Sequence, residues 1–181
     1  MYDVKGNLHE VLGSLPAGVR LVAISKFHPN EYIEEAYAEG QRIFGESHEQ
    51  ELAKKVASLP EDIEWHFIGH LQTNKVKYIA PYISMIESVD SLKLLKEIEK
   101  QAAKHNRVVK VLLELHLAEE DTKSGLSLDA CRELLEAGEW REMKHVQICG
   151  IMMMASNTDD EQQIAQEFDE DELVEVKERF F

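Results

Sequence analysis

The stretch Arg20-Leu-Val-Ala-Ile-Ser-Lys-Phe-His-Pro29 decides the fold. A short apolar run ends in Ser-Lys, and Pro29 then suits the first turn of a helix. A doubly wound dinucleotide-binding sheet would place a glycine-rich turn at this point, and no glycine occurs between Ser25 and Pro29. Five similar runs follow: Arg42-Ile-Phe-Gly-Glu-Ser47, Glu64-Trp-His-Phe-Ile-Gly69, Met85-Ile-Glu-Ser-Val-Asp90, Val109-Lys-Val-Leu-Leu-Glu-Leu-His116 and Val146-Gln-Ile-Cys-Gly-Ile-Met152. The spacing between successive starts leaves room for one helix and two turns, the rhythm of βα units on a parallel sheet. Polar groups recur where the runs end: Ser25-Lys26, Glu46-Ser47, His70, Ser88 with Asp90, Glu114 with His116, Ser156-Asn157. In a barrel those carboxyl ends meet at one mouth. The reading is an α/β chain, residues 1–181 forming a single barrel domain with about six of the eight βα units of a (β/α)8 barrel.

Helices are predicted near 5–14, 29–39, 48–58, 73–80, 91–105, 128–137 and 159–180. Ser47 with Gln50 and Thr158 with Glu161 have capping-box spacing. Ser127 precedes an amphipathic stretch with Gly138 beyond it, and Gly40 can close the helix that follows Pro29.

The 181 residues are 44% apolar and 30% charged, an ordinary globular balance with enough length for a core. The 35 acidic residues against 20 Lys and Arg give a formal charge of −15. Such a surface repels phosphate backbones and anionic lipid, so neither nucleic acid nor a membrane is an expected partner. No apolar stretch approaches membrane-spanning length, and the amino terminus has no signal-peptide pattern. Cys131 and Cys149 form no metal or redox motif, which suits a reduced, cytoplasmic setting.

Alternation along the first run places Val22, Ile24 and Lys26 on one face. An ammonium drawn into a semi-apolar barrel mouth loses solvation, which favours a neutral amine able to attack a carbonyl. By position alone, a solvated lysine just past a strand is the commoner case. In the fifth run Leu112, Glu114 and His116 share a face, where a carboxylate and an imidazole are costly unless paired or near water. Either a functional polar layer or an edge strand with a wet face accounts for them. His66 and His70 on one strand lie about 13 Å apart, too far to share a zinc ion. Met152, Met153 and Met154 read as packing, and Asp169-Glu-Asp-Glu172 as a solvated helix face. Asn74-Lys75 and Thr122-Lys-Ser-Gly125 are basic and turn-like, able to hold an anion near the mouth.

Together these segments resemble the pyridoxal phosphate homeostasis proteins, single-domain relatives of the barrel domain of alanine racemase. The resemblance rests on Leu21-Val-Ala-Ile-Ser-Lys26, Phe44-Gly-Glu46, Trp65-His-Phe-Ile-Gly-His-Leu-Gln-Thr-Asn-Lys75, Ser88-Val-Asp90, Lys123-Ser-Gly125 and Gly150-Ile-Met152. It implies a TIM barrel of alanine-racemase type that holds pyridoxal 5′-phosphate (PLP) as a Schiff base on Lys26. It further implies that Ser47, His66 and Met152 lie around the cofactor ring and that Lys123 is a second lysine near it. The implied function is intracellular vitamin B6 homeostasis without catalysis, with PLP and PLP-dependent apo-enzymes as partners and a monomeric chain. The alternative is a racemase-like enzyme on amino acids, which needs a second base; none of the five tyrosines sits in a comparable motif. Two positions depart from the family pattern: Ser47 stands where Asn is usual, and Glu114 and His116 where a Gln-x-Asn pattern is common. The family's closing strands, with their Ser-rich phosphate turn, have no counterpart before Phe181. The expectation is therefore a chain lacking the last two βα units and retaining the cofactor weakly.

Overall fold

A computed structural model describes residues 3–116, 125–155, 158–168 and 171–181. Six parallel strands are hydrogen-bonded in chain order: β1 (Ala23–Ile24), β2 (Ile43–Glu46), β3 (Glu64–Phe67), β4 (Met85–Val89), β5 (Val109–Glu114) and β6 (Val146–Met152). Each new strand joins on the same side as the last. A doubly wound sheet would reverse direction at a switch point, and no reversal occurs here.

The helices are α1 (Val4–Ser14), α2 (Asn30–Ala38), α3 (Glu49–Val56), α4 (Val76–Ile79), α5 (Leu92–Lys104), α6 (Leu128–Ala137), α7 (Glu161–Phe168) and α8 (Asp171–Phe180). None is long and apolar enough to cross a membrane. Their apolar stripes cover one face of the sheet. Phe44, Trp65, Phe67, Val111 and Leu113 from the strands form a core with Ile33, Leu52, Leu95, Ile98 and Leu135 from the helices.

Several local expectations need correction. The stretch predicted as one helix over 159–180 is two helices, α7 and α8, with residues 169–170 outside the described ones. The first strand is shorter than its apolar run: among the described strands it pairs with β2 alone, in two register pairs. Ser47 does not cap α3. The N-cap is His48, without a side-chain cap bond, and the Ser47 hydroxyl meets His48 Nδ1 at 3.0 Å. Before α7, Asp160 Oδ1 accepts from the N–H groups of Gln162 and Gln163, so the cap lies two residues beyond Thr158. At α6 the expected cap forms: Ser127 Oγ accepts from Ala130 N–H at 3.2 Å, and Gly138 ends the helix at φ 73°.

The two cysteines occupy opposite environments. Cys131 on α6 is buried, and burial pushes its thiol up to about 11; Cys149 is exposed. Titration with a disulfide reagent near pH 8 is expected to show one fast thiol, Cys149, and a second that reacts only on unfolding. Equal rates would contradict this packing.

Candidate functional site

The sheet has two distinct faces. The Glu46 carboxylate turns to the helix side, where the Lys55 ammonium on α3 meets it, and the Ser25 hydroxyl turns the same way to donate to the same carboxylate oxygen. Their neighbours in sequence take the other, inner side. Gly45 shows this directly, since a Cβ there would lie 2.8 Å from Ile24 Cδ1, 3.3 Å from Val22 Cγ1 and 3.4 Å from Ile68 Cγ2. Val22 and Ile24 thus share the inner face, as alternation predicts.

Lys26 follows at the carboxyl end of β1, in a turn closed by His28 N–H donating to Ser25 C=O at 3.0 Å. Phe27, the third residue of that turn, has φ 64°, an unusual conformation for a large side chain. Among the described lysines, Lys26, Lys55 and Lys75 are sheltered from full exposure. Lys55 and Lys75 are ion-paired with carboxylates. Lys26 makes no hydrogen bond or ion pair with another described residue.

Ser47 directly follows the neighbouring strand β2, half-buried beside a cavity of about 400 Å³ that His70, Gln72 and Lys75 also line. Lys75 is committed to Glu49, whose hydrogen bond holds the Lys75 ammonium above its ordinary value. That pairing leaves the Asn74-Lys75 turn poorly suited to an anion.

His66 sits one layer deeper than Lys26. It is in register with Gly45, which is in register with Ile24. Its Nδ1 meets Glu87 Oε1 at 2.6 Å, and it borders a cavity of about 280 Å³ among Arg20, Arg107 and Lys110 at the amino ends of the strands. His70 has its own carboxylate, Asp90 at 3.5 Å.

Met152 closes β6, half-buried and in register with Glu114. β5 lies between β4 and β6, so the edge-strand account of Glu114 and His116 does not hold. Lys123 and the Ser156-Asn157 pair lie outside the described residues. The site therefore brings Lys26 and Ser47 to adjacent strand ends, and places Met152 at the same end of the sixth strand.

The reading of the residues missed Lys55 and Glu51. Lys55 Nζ donates to Ser25 C=O at 2.8 Å and to Glu46 Oε1 and Glu51 Oε1 at 2.7 Å each, using all three of its protons. Burial opposes the charge on Glu51, yet Lys55 and the Phe27 N–H hold its carboxyl below the ordinary carboxylate value. A signal was present: a carboxylate inside the fully buried strand Ile43-Phe-Gly-Glu46 demands a cation, and Glu51 and Lys55 stand at i, i+4 on the next helix.

A lysine at the end of the first strand of such a sheet defines a class. The chain matches the family of the alanine racemase N-terminal domain over residues 3–180, and it belongs to that family. It is 42% identical over 134 residues to the pyridoxal phosphate homeostasis protein of Aquifex aeolicus (strain VF5), a match covering 74% of this chain and 58% of that one. The protein of the same name from Schizosaccharomyces pombe is 37% identical over 140 residues, covering 76% and 58%. The matched region thus spans less than two thirds of the length of these curated relatives. Among solved structures, PipY of Synechococcus elongatus PCC7942 with PLP bound superposes with a TM-score of 0.84 at 30% identity, covering 98% of this chain and 84% of that one. An alanine racemase from Streptomyces coelicolor A3(2) gives a TM-score of 0.79 at 16% identity, covering 97% and 48%, a likeness of fold alone. The fold is an alanine-racemase-type (β/α)8 TIM barrel, of which the described strands represent six βα units.

Proposed function

We propose that this chain holds PLP through Lys26 and serves vitamin B6 homeostasis rather than catalysis. The observation that carries the reading is the isolation of the Lys26 amine: it is sheltered, yet no described carboxylate engages it. When bound, PLP would supply an aldehyde, and Lys26 is the residue whose side-chain nitrogen would hold it. An amine locked in an ion pair would have to break that pair first, and Lys26 has none among the described residues. Alternation from Ile24 through the outward-turned Ser25 supports an inward start for the Lys26 side chain.

Ser47 and Met152 are the side chains we assign to the cofactor's surroundings at the mouth. His66, one layer below and bound to Glu87, supports the floor of that space. Lys123 keeps its proposed place as a second lysine near the cofactor on resemblance alone. The names of the Aquifex aeolicus and Schizosaccharomyces pombe relatives favour homeostasis, and PipY has been solved with PLP. The racemase likeness is confined to fold. A cytoplasmic monomer that passes PLP to apo-enzymes fits the acidic composition and the two free cysteines.

The test is to mix the protein with PLP, reduce with borohydride and map the peptides. The pyridoxyl group is expected on the Lys26 peptide. An adduct confined to other lysines, or none, would remove Lys26 from the role. Incubation with L-alanine is expected to give no D-alanine above the rate of free PLP, and sustained racemisation would favour an enzyme.

A further inference from the structure

We propose that the Glu46–Lys55–Glu51 ion network is a positioning device for Lys26, clamping the peptide groups on both sides of it. The inference rests on the reading of Lys26 as the lysine that holds PLP. The peptide before Lys26 offers the Ser25 carbonyl, which accepts from Lys55 Nζ at 2.8 Å. The peptide after it offers the Phe27 N–H, which donates to Glu51 Oε1 at 2.8 Å. Lys55 joins the two clamps by pairing with Glu51, and it anchors them to β2 through Glu46. Ser25 Oγ adds a fifth link, donating to Glu46 Oε1 at 2.6 Å.

The turn has need of such a hold. Phe27 sits at φ 64°, where a bulky residue is strained, and the residue is 75% exposed, so burial does little to repay the strain. The ring contact with His48, centroids 5.3 Å apart, is itself at the surface. The hydrogen bond to a charged acceptor is what fixes the Phe27 amide, and with it the angle at which Lys26 leaves the strand. Glu51 and Lys55 act here as positioning residues; neither is assigned a contact with the cofactor.

Glu51→Ala tests this, because the Glu51 side chain is 25% exposed and its loss leaves the Lys55–Glu46 pair and the Ser25 clamp in place. Two quantities are read: exchange of the Phe27 amide with solvent, and pyridoxyl label trapped at Lys26 relative to the exposed Lys93 in the same digest. In Glu51→Ala the Phe27 amide is expected to exchange about tenfold faster and the Lys26 label to fall about tenfold, the factor carried by one charge-assisted hydrogen bond. Glu51→Gln, whose side-chain carbonyl can still accept from Phe27 N–H, is expected to recover most of both. Equal Lys26 labelling in wild type and Glu51→Ala would overturn the positioning role while leaving the function reading intact. Wild-type protein unlabelled at Lys26 would overturn both. Fast Phe27 exchange in wild type would overturn the clamp by itself, whether or not Glu51→Ala folds.

Discussion

Replacing Lys55 by methionine is expected to lower the stability of the fold by about 3–5 kcal/mol, the usual cost of removing one partner from a buried ion pair. The Lys55 side chain is 5% exposed and that of Glu46 is fully buried. Glu46 Oε2 already lacks a hydrogen-bond partner among the described residues, so this carboxylate depends on what reaches Oε1. Without the ammonium it keeps only the Ser25 hydroxyl there, and the Glu51 carboxylate nearby loses its counter-charge. Methionine fills much of the volume, so the loss is electrostatic rather than a cavity effect. A thermal melt is expected to show a fall on the order of 10 °C for a chain of this size. The difference should also depend on pH. Glu51 has a depressed pKa in the folded protein, so its contribution is present above the unfolded value and lost as pH falls through the folded one. Removing Lys55 removes its share of that contribution while the Phe27 N–H remains, and the gap between wild type and Lys55→Met should narrow on acidification. An unchanged melt near neutral pH would show that the network contributes nothing net.

Gly69→Ala is the second large effect expected. A Cβ at Gly69 would lie 2.6 Å from Ser47 Cβ, 2.8 Å from Ser47 O and 3.0 Å from Ser47 Cα. Two of these atoms are backbone, so a side-chain rotation cannot relieve the clash. The Gly69 carbonyl is also tied to the Ser88 hydroxyl, which restrains retreat in the other direction. The loops after β2 and β3 would have to part, at a cost of about 1–3 kcal/mol in overpacking. Gly13→Ala serves as the contrast: it is helical, with nothing within 4 Å of its added Cβ, and should be neutral or stabilising by up to about 1 kcal/mol. Equal melting temperatures for the two variants would contradict the close approach at Ser47.

Most of the fold was legible because its signals are local. The run Val146–Met152 is β6 residue for residue, and Ser127 with Gly138 brackets α6, since a cap and a left-handed stop are decided within a few residues. Ser47 misled because its spacing to Gln50 says nothing of the neighbouring imidazole that takes its hydroxyl. The site divides along the same line. Lys26 stood out as a lysine ending an apolar strand. Lys55 did not, because its meaning depends on Glu46 and Ser25, which only the winding of β1, β2 and α3 brings to it. For Glu114 and His116 the sequence leaves two accounts open, and the strand on either side of β5 removes the edge-strand one.

The opposite dress of the sheet's two sides has an evolutionary consequence. Cohesion resides on the side pressed against the helices, where Phe44, Phe67, Val111 and Leu113 leave little room for change. Inner positions such as Ile24, 49% exposed, contribute less to it. Descendants of one ancestor are free to rewrite the lumen while inheriting the wall unaltered, so kinship in architecture long outlasts kinship in chemistry.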